Sequence, residues 1–208
     1  LAPASVPLVI GVTSHRNIPA REVDLVRRRV REFLAQLQRD FPALPLVVLS
    51  ALAEGGDQLV AEEALALGAR LIAPLPLPRE LYVEDFHHAA TRDRFDALAA
   101  RARVIELPLL PDSTPRGIGN PGPQRDRQYG RAGVFIARHC HLLLAIWDGK
   151  ASTRLGGTAQ VAEFFLSGVM PGLTERRRGS RHHLLGSGDE RLVCQIVCSR
   201  DTDDGAPL

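Results

Sequence analysis

Lysine is almost missing from this chain of 208 residues: Lys150 is the only one, and arginine supplies the rest of the 26 basic side chains. Against 24 carboxylates the net charge is +2, far from the strong basicity of a dedicated nucleic-acid-binding domain, so no nucleic-acid partner is expected. Cysteine is scarce too. Cys140, Cys194 and Cys198 are odd in number and make no disulfide framework. They read as small buried apolar side chains in a reducing compartment, which makes a cytoplasmic location the expectation. No apolar run reaches the roughly 20 residues that a membrane span needs. The longest, Phe41 to Ala53, is short and broken by Pro42 and Pro45. No basic flank, apolar core and small-residue cleavage site opens the chain.

What remains is an ordinary globular composition, 45% hydrophobic and 24% charged. Disorder over most of the length is excluded, and the length suits one large domain that needs no metal or disulfide to hold its core. The chain begins at Leu1 rather than Met and ends soon after a strand-like run, as expected of a domain cut from a longer protein.

The apolar pattern alternates between two periods. Leu8 to Ile10 reads as a buried strand stopping at Gly11, followed by a polar loop to Asn17. Val23, Val26, Val30, Phe33, Leu34, Leu37 and Phe41 recur every three or four residues, an amphipathic helix over 21–41. Leu46 to Leu49 is a second strand. The turn Glu54-Gly55-Gly56-Asp57 follows, with Asp57 expected to cap a helix from Gln58 to Leu67. Further strands are read at 70–74, 104–107, 142–147 and 192–198, with helices at 91–101, 125–139 and 158–170. Residues 108–124 and 171–190 read as long loops, the first as a partly disordered lid. Strands that are wholly apolar and separated by helices predict an α/β fold, a doubly wound, mostly parallel, Rossmann-like sheet in a single domain over 1–208.

In such sheets ligands bind beyond the carboxyl ends of the strands. Three strand-end loops carry glycine and polar residues: 11–17, 50–57 and 148–158. Glycine admits close approach of a ligand, and the helix that follows offers free amides. Gly156-Gly157-Thr158 is the best of them, with Thr158 as cap or phosphate donor. The dinucleotide fingerprint G-x-G-x-x-G and the phosphate-loop motif G-x-x-x-x-G-K-[ST] are both missing, and Lys150 has no glycine cradle, which disfavours a dehydrogenase or a P-loop ATPase.

In order along the chain come Gly11-Val12-Thr13-Ser14-His15-Arg16, Ala53 to Ala61 with Glu54-Gly55-Gly56-Asp57, Pro76-Leu77-Pro78-Arg79, Tyr129 to Gly133, Trp147-Asp148-Gly149 and Gly156-Gly157-Thr158. This series resembles the SLOG superfamily, which includes the Lonely-Guy-type phosphoribohydrolases, the amino-terminal modules of TRPM channels and sensor domains of bacterial defence proteins. Ser14 and Gly56 are small departures from its pattern. The resemblance covers 8–200 and implies a pocket for a nucleotide-derived small molecule related to ADP-ribose or NAD. Gly11, Ser14, His15, Arg16, Gly55, Gly56, Asp57, Asp148, Gly156, Gly157 and Thr158 would line it. It further implies an attached or partner effector or membrane domain moved by binding. A homodimer is a further expected assembly.

Two alternatives stand beside that expectation. The hydrolase branch carries P-G-G-x-G-T-x-x-E; here Leu155, Ala159 and Gln160 replace three of those positions, while Glu163 falls on the glutamate. With an arginine from the preceding helix, Arg131 or Arg127, Glu163 would cut an N-glycosidic bond. The other alternative is a protein interaction module with a non-functional pocket. No cofactor or metal is expected: His139-Cys140-His141 and His87-His88 lack the convergent partners that zinc needs. Arg176-Arg177-Arg178 and Arg181 read as a solvated basic run, and Trp147 as a core residue.

Overall fold

The structure, a computed structural model, describes residues 6–174 and 191–200. Six strands form one sheet: β1 (Leu8–Ser14), β2 (Leu46–Leu49), β3 (Arg70–Leu75), β4 (Arg103–Glu106), β5 (Leu142–Trp147) and β6 (Leu192–Val197). Their order is β4-β3-β2-β1-β5-β6, and every neighbouring pair is parallel. The helices are α1 (Ala20–Asp40), α2 (Gly56–Ala66), α3 (Arg79–Val83), α4 (Ala89–Ala99), α5 (Pro115–Ile118), α6 (Pro123–Arg138) and α7 (Thr158–Ser167). The fold is a Rossmann-like α/β sheet, as expected.

Two cores follow from this winding. On one face Ile10, Val12, Val48, Leu71, Ala73, Leu144 and Ile146 pack with α1, α2 and α4 and with an aromatic cluster of Tyr82, Phe86 and Phe95. On the other, Leu49 and Leu143 meet Val134 and Ile136 of α6 and Val161, Phe164 and Phe165 of α7. The amphipathic period of α1 buries Val26, Val30 and Leu34, while Arg27 and Arg31 on its flank reach Glu63 of α2 at 2.8 Å each.

The first departure from the sequence reading is at Gly11. It lies inside β1, which runs on to Ser14, and its register partners are Leu49 and Leu143. A Cβ there would stand 2.6 Å from Cys140 Sγ and 2.9 Å from Ile136 Cγ2. The glycine serves close helix–sheet packing. Asp57 is the second. It sits in the first turn of α2, whose N-cap is Gly55, and its carboxylate turns back to β1 and accepts from Ser14 Oγ at 2.6 Å.

The stretch 108–124 contains α5, capped by Thr114, whose hydroxyl accepts from Gly117 N at 3.0 Å. Buried Gln128 ties it down further, accepting from Leu110 N and donating to Pro76 O, both at 3.0 Å. These backbone groups are satisfied by a side chain that helical periodicity alone reads as one more polar residue. Of the second loop, 175–190 lies outside the described residues, as do Arg176, Arg177, Arg178 and Arg181.

Candidate functional site

The chain reverses its direction of winding between β1 and β5: β1 leads away through α1 to one side, β5 through α7 to the other. A crevice opens beyond the carboxyl ends of strands at such a point. Here it is a cleft of about 230 Å³ at the ends of β1, β5 and β6, with His15, Trp147, Asp148, Lys150, Arg154, Thr158 and Arg200 in its walls.

His15 anchors the floor. Its backbone amide donates to Ile146 O at 2.9 Å, continuing the ladder one residue past β1. Arg200 lies 3.4 Å from Nδ1, and Nε2 is 3.2 Å from Asp148 Oδ1. The Asp148 backbone amide also donates to Nε2, at 3.2 Å. Burial lowers the His15 pKa, Arg200 adds to this, and Asp148 partly opposes it, which favours the neutral ring. For Asp148 burial raises the pKa, but the Lys150 amide and His15 outweigh it and leave the carboxyl below its ordinary value. The Lys150 amide reaches Oδ1 at 3.1 Å. Asp148 is therefore an ionised turn residue held by the Lys150 amide and lying beside the His15 ring.

The remaining charge around the cleft is positive. Lys150, Arg154 and Arg200 are exposed and form no salt bridge among the described residues. The first turn of α7 points into the same space: its N-cap is Gly157 and no side chain caps it, so its leading amides lack intrahelical acceptors. Trp147 is half-buried in the wall, and its indole Nε1 has no hydrogen-bond partner.

The other expected ligand residues gather elsewhere, where the 54–57 turn clasps the end of β1. Gly55 has φ +83°, and a Cβ would fall 2.1 Å from the Arg16 carbonyl oxygen. The Gly56 amide donates to His15 O at 3.2 Å, and a Cβ on Gly56 would stand 2.6 Å from that of Ser14. Asp57 is buried, and desolvation pushes its pKa up to about 6 against the opposing pull of Ser14, the Ala53 backbone and Arg16. The Arg16 guanidinium lies 5.3 Å over the Tyr129 ring, and the Tyr129 hydroxyl donates to Asp85, which Arg125 pairs at 2.9 Å. Gly156, at φ +75°, brings the loop before α7 against α6, where a Cβ would meet Gly130 N at 2.6 Å.

Of the residues expected to bind a ligand, His15, Asp148, Gly157 and Thr158 line the cleft. Gly11, Ser14, Arg16, Gly55, Gly56, Asp57 and Gly156 instead hold neighbouring segments together. Lys150, Arg154, Arg200 and the indole of Trp147 were missed as site residues. Lys150 was discounted for lack of a glycine cradle, and Arg200 reaches the cleft only because β6 pairs with β5. Glu163 is exposed on α7 and does not line the cleft. Among the described residues no group of three or more metal-ligating side chains converges, and no helix is long and apolar enough to cross a membrane.

No family model matches the chain, and no curated protein matches it. Solved structures do. DNA processing protein A from Streptococcus pneumoniae matches over 77% of this chain and 47% of its own, at 19% identity and a TM-score of 0.45. DNA processing protein A from Helicobacter pylori, described by its unique single-stranded DNA binding mode, matches over 77% of this chain and 62% of its own, at 14% identity and a TM-score of 0.46. The chain thus spans less than two thirds of either protein, and at these identities the likeness concerns the fold.

Two expectations are corrected here. No nucleic-acid partner was expected, yet single-stranded DNA binding is the stated property of a protein whose structure this chain matches. The expected nucleotide-derived sensor ligand also fails on size. The cleft's 230 Å³ falls short of the roughly 300–1,000 Å³ that enclosed small-molecule sites occupy. The phosphoribohydrolase alternative falls with it, because Glu163 lies outside the cleft. The net charge of +2 averages the local cluster of Lys150, Arg154 and Arg200 against carboxylates elsewhere.

Proposed function

We propose that the chain is a SLOG-like Rossmann domain that holds single-stranded nucleic acid by its phosphodiester backbone across the carboxyl ends of β1, β5 and β6. The observation that carries this is the ring of Lys150, Arg154 and Arg200, none of them in a salt bridge among the described residues, around a cleft too small to enclose a nucleotide. A phosphate fits such a space while its sugar and base stay outside, so the chain of phosphates passes over the cleft. The uncapped first turn of α7 adds amides and a partial positive charge on the same side. Trp147 in the wall supplies an aromatic surface for an unstacked base, which a single strand can present and a duplex cannot.

The test is binding of a labelled oligothymidylate by fluorescence anisotropy as salt is varied. Three phosphate contacts give a slope of log K against log salt of about −2 on the single-strand coefficient. The variant K150A/R154A/R200A should flatten that slope and lose most of the affinity. An unchanged slope in the folded variant, or no binding by the parent chain, would overturn the reading.

A further inference from the structure

A second cavity, of about 570 Å³, lies at the other end of the sheet, with Phe135 and His139 of α6 in its wall. It follows from the topology. Helices α6 and α7 cover β1, β5 and β6, and α6 crosses the sheet obliquely. Near its start Gln128 holds Pro76 beyond β3, and near its end Phe135 and His139 reach the cavity wall. Beside it Val9, Ile72 and Ile105 stay partly exposed on this face.

Register defines the floor. One row across the sheet is Val9, Val47 and Arg70; the next is Leu49, Ile72 and Arg103, followed by Ile105 beside Pro74. Each row is apolar in the middle and ends in an arginine. Arg101, just before β4, joins Arg70 and Arg103 at the rim. All three are exposed, none forms a salt bridge among the described residues, and no carboxylate lines the cavity.

Parallel sheets are stable when helices cover both faces. A groove with a partly exposed apolar floor, bordered by three guanidinium groups that form no salt bridge among the described residues, therefore fits one kind of occupant. We propose that this groove docks an amphipathic helix of a partner protein, with an apolar stripe against Val9, Ile72 and Ile105 and acidic residues on the flank facing Arg70, Arg101 and Arg103. Such helix-in-groove recognition uses anchors at i, i+3, i+4 and i+7. The apolar floor distinguishes the groove from the polar cleft at the other end of the sheet, so this docking is independent of nucleic-acid binding there.

The test uses the full chain and two fluorescein-labelled helical peptides sharing one leucine stripe, one flanked by glutamates and the other by lysines. The glutamate peptide should bind at least about tenfold tighter, a difference worth about 1.4 kcal/mol. R70E/R101E/R103E should reverse the preference, and R70K/R101K/R103K should keep it, with circular dichroism showing both variants folded. Equal binding of the two peptides, or binding of neither, would overturn the proposal. So would displacement of the bound peptide by oligothymidylate, or a dimer in sedimentation that R70E/R101E/R103E dissolves, since the groove would then belong to nucleic acid or to a second copy of the chain.

Discussion

Arg200, three residues beyond the end of β6, lies 3.4 Å from Nδ1 of His15, the residue immediately after β1. Because β5 separates those two strands in the sheet, the contact closes one end of the cleft across three strands. It also keeps an arginine at the mouth of the cleft. Protonation of His15 would put a second positive charge against Arg200.

His15 should therefore contribute a pH-dependent part of stability. Its pKa is lowered in the fold from an ordinary 6.5, burial being the largest cause. Below 6.5 the unfolded chain takes up the proton before the folded one does, so stability falls as the pH drops through that range. H15Q, which cannot protonate, should lack this fall. Urea unfolding at a series of pH values would show it, and equal slopes for parent and variant would contradict it.

Asp57 should act in the opposite direction. Its folded pKa of about 6 stands above the ordinary 3.8, so between about 4 and 6 the folded chain binds more protons than the unfolded one. Stability contributed by this group is then lost as the pH rises through that window. D57N should remove the loss and gain stability relative to the parent above pH 6, measured by the same unfolding series. A parent curve that rises equally with and without the substitution would argue against a buried neutral carboxyl.

Gly55 has no tolerable replacement. An L residue at φ +83° carries about 1–3 kcal/mol of backbone strain. Its Cβ would also have to displace the Arg16 carbonyl, 2.1 Å away. G55A should lower the thermal midpoint by several degrees in calorimetry, more than G68A, where nothing lies within 4 Å of the new Cβ.

Glu163, in contrast, should be dispensable. It is exposed and outside the cleft, so E163A should leave stability within about 0.5 kcal/mol and oligonucleotide affinity unchanged. A large loss of binding would move the site along α7.

Much of the architecture could be read from the sequence because its causes are local. The four-residue spacing of Val26, Val30 and Leu34 and the unbroken apolar run Leu142 to Ile146 each announce their element. The end of β1 could not be read so easily, since Gly11 looks like a strand terminator unless Cys140 and Ile136 are known to press against it. The site was half legible. His15, Asp148, Gly157 and Thr158 stand in strand-end loops, where the fold puts its crevice. Arg154 and Arg200 became visible only through loop and sheet geometry. Glycines such as Gly55 and Gly156 looked like ligand contacts because close approach to a ligand and close approach to another segment leave the same residue in the sequence.

Trp147 offers the most direct measurement, because it is the only tryptophan in the chain and stands in the cleft wall. Its emission should be quenched saturably as oligothymidylate is added, at the same midpoint as anisotropy reports, and the quenching should disappear in K150A/R154A/R200A. Oligonucleotide binding that leaves Trp147 emission unchanged, or no binding at low salt, would contradict the assignment of this cleft to single-stranded nucleic acid.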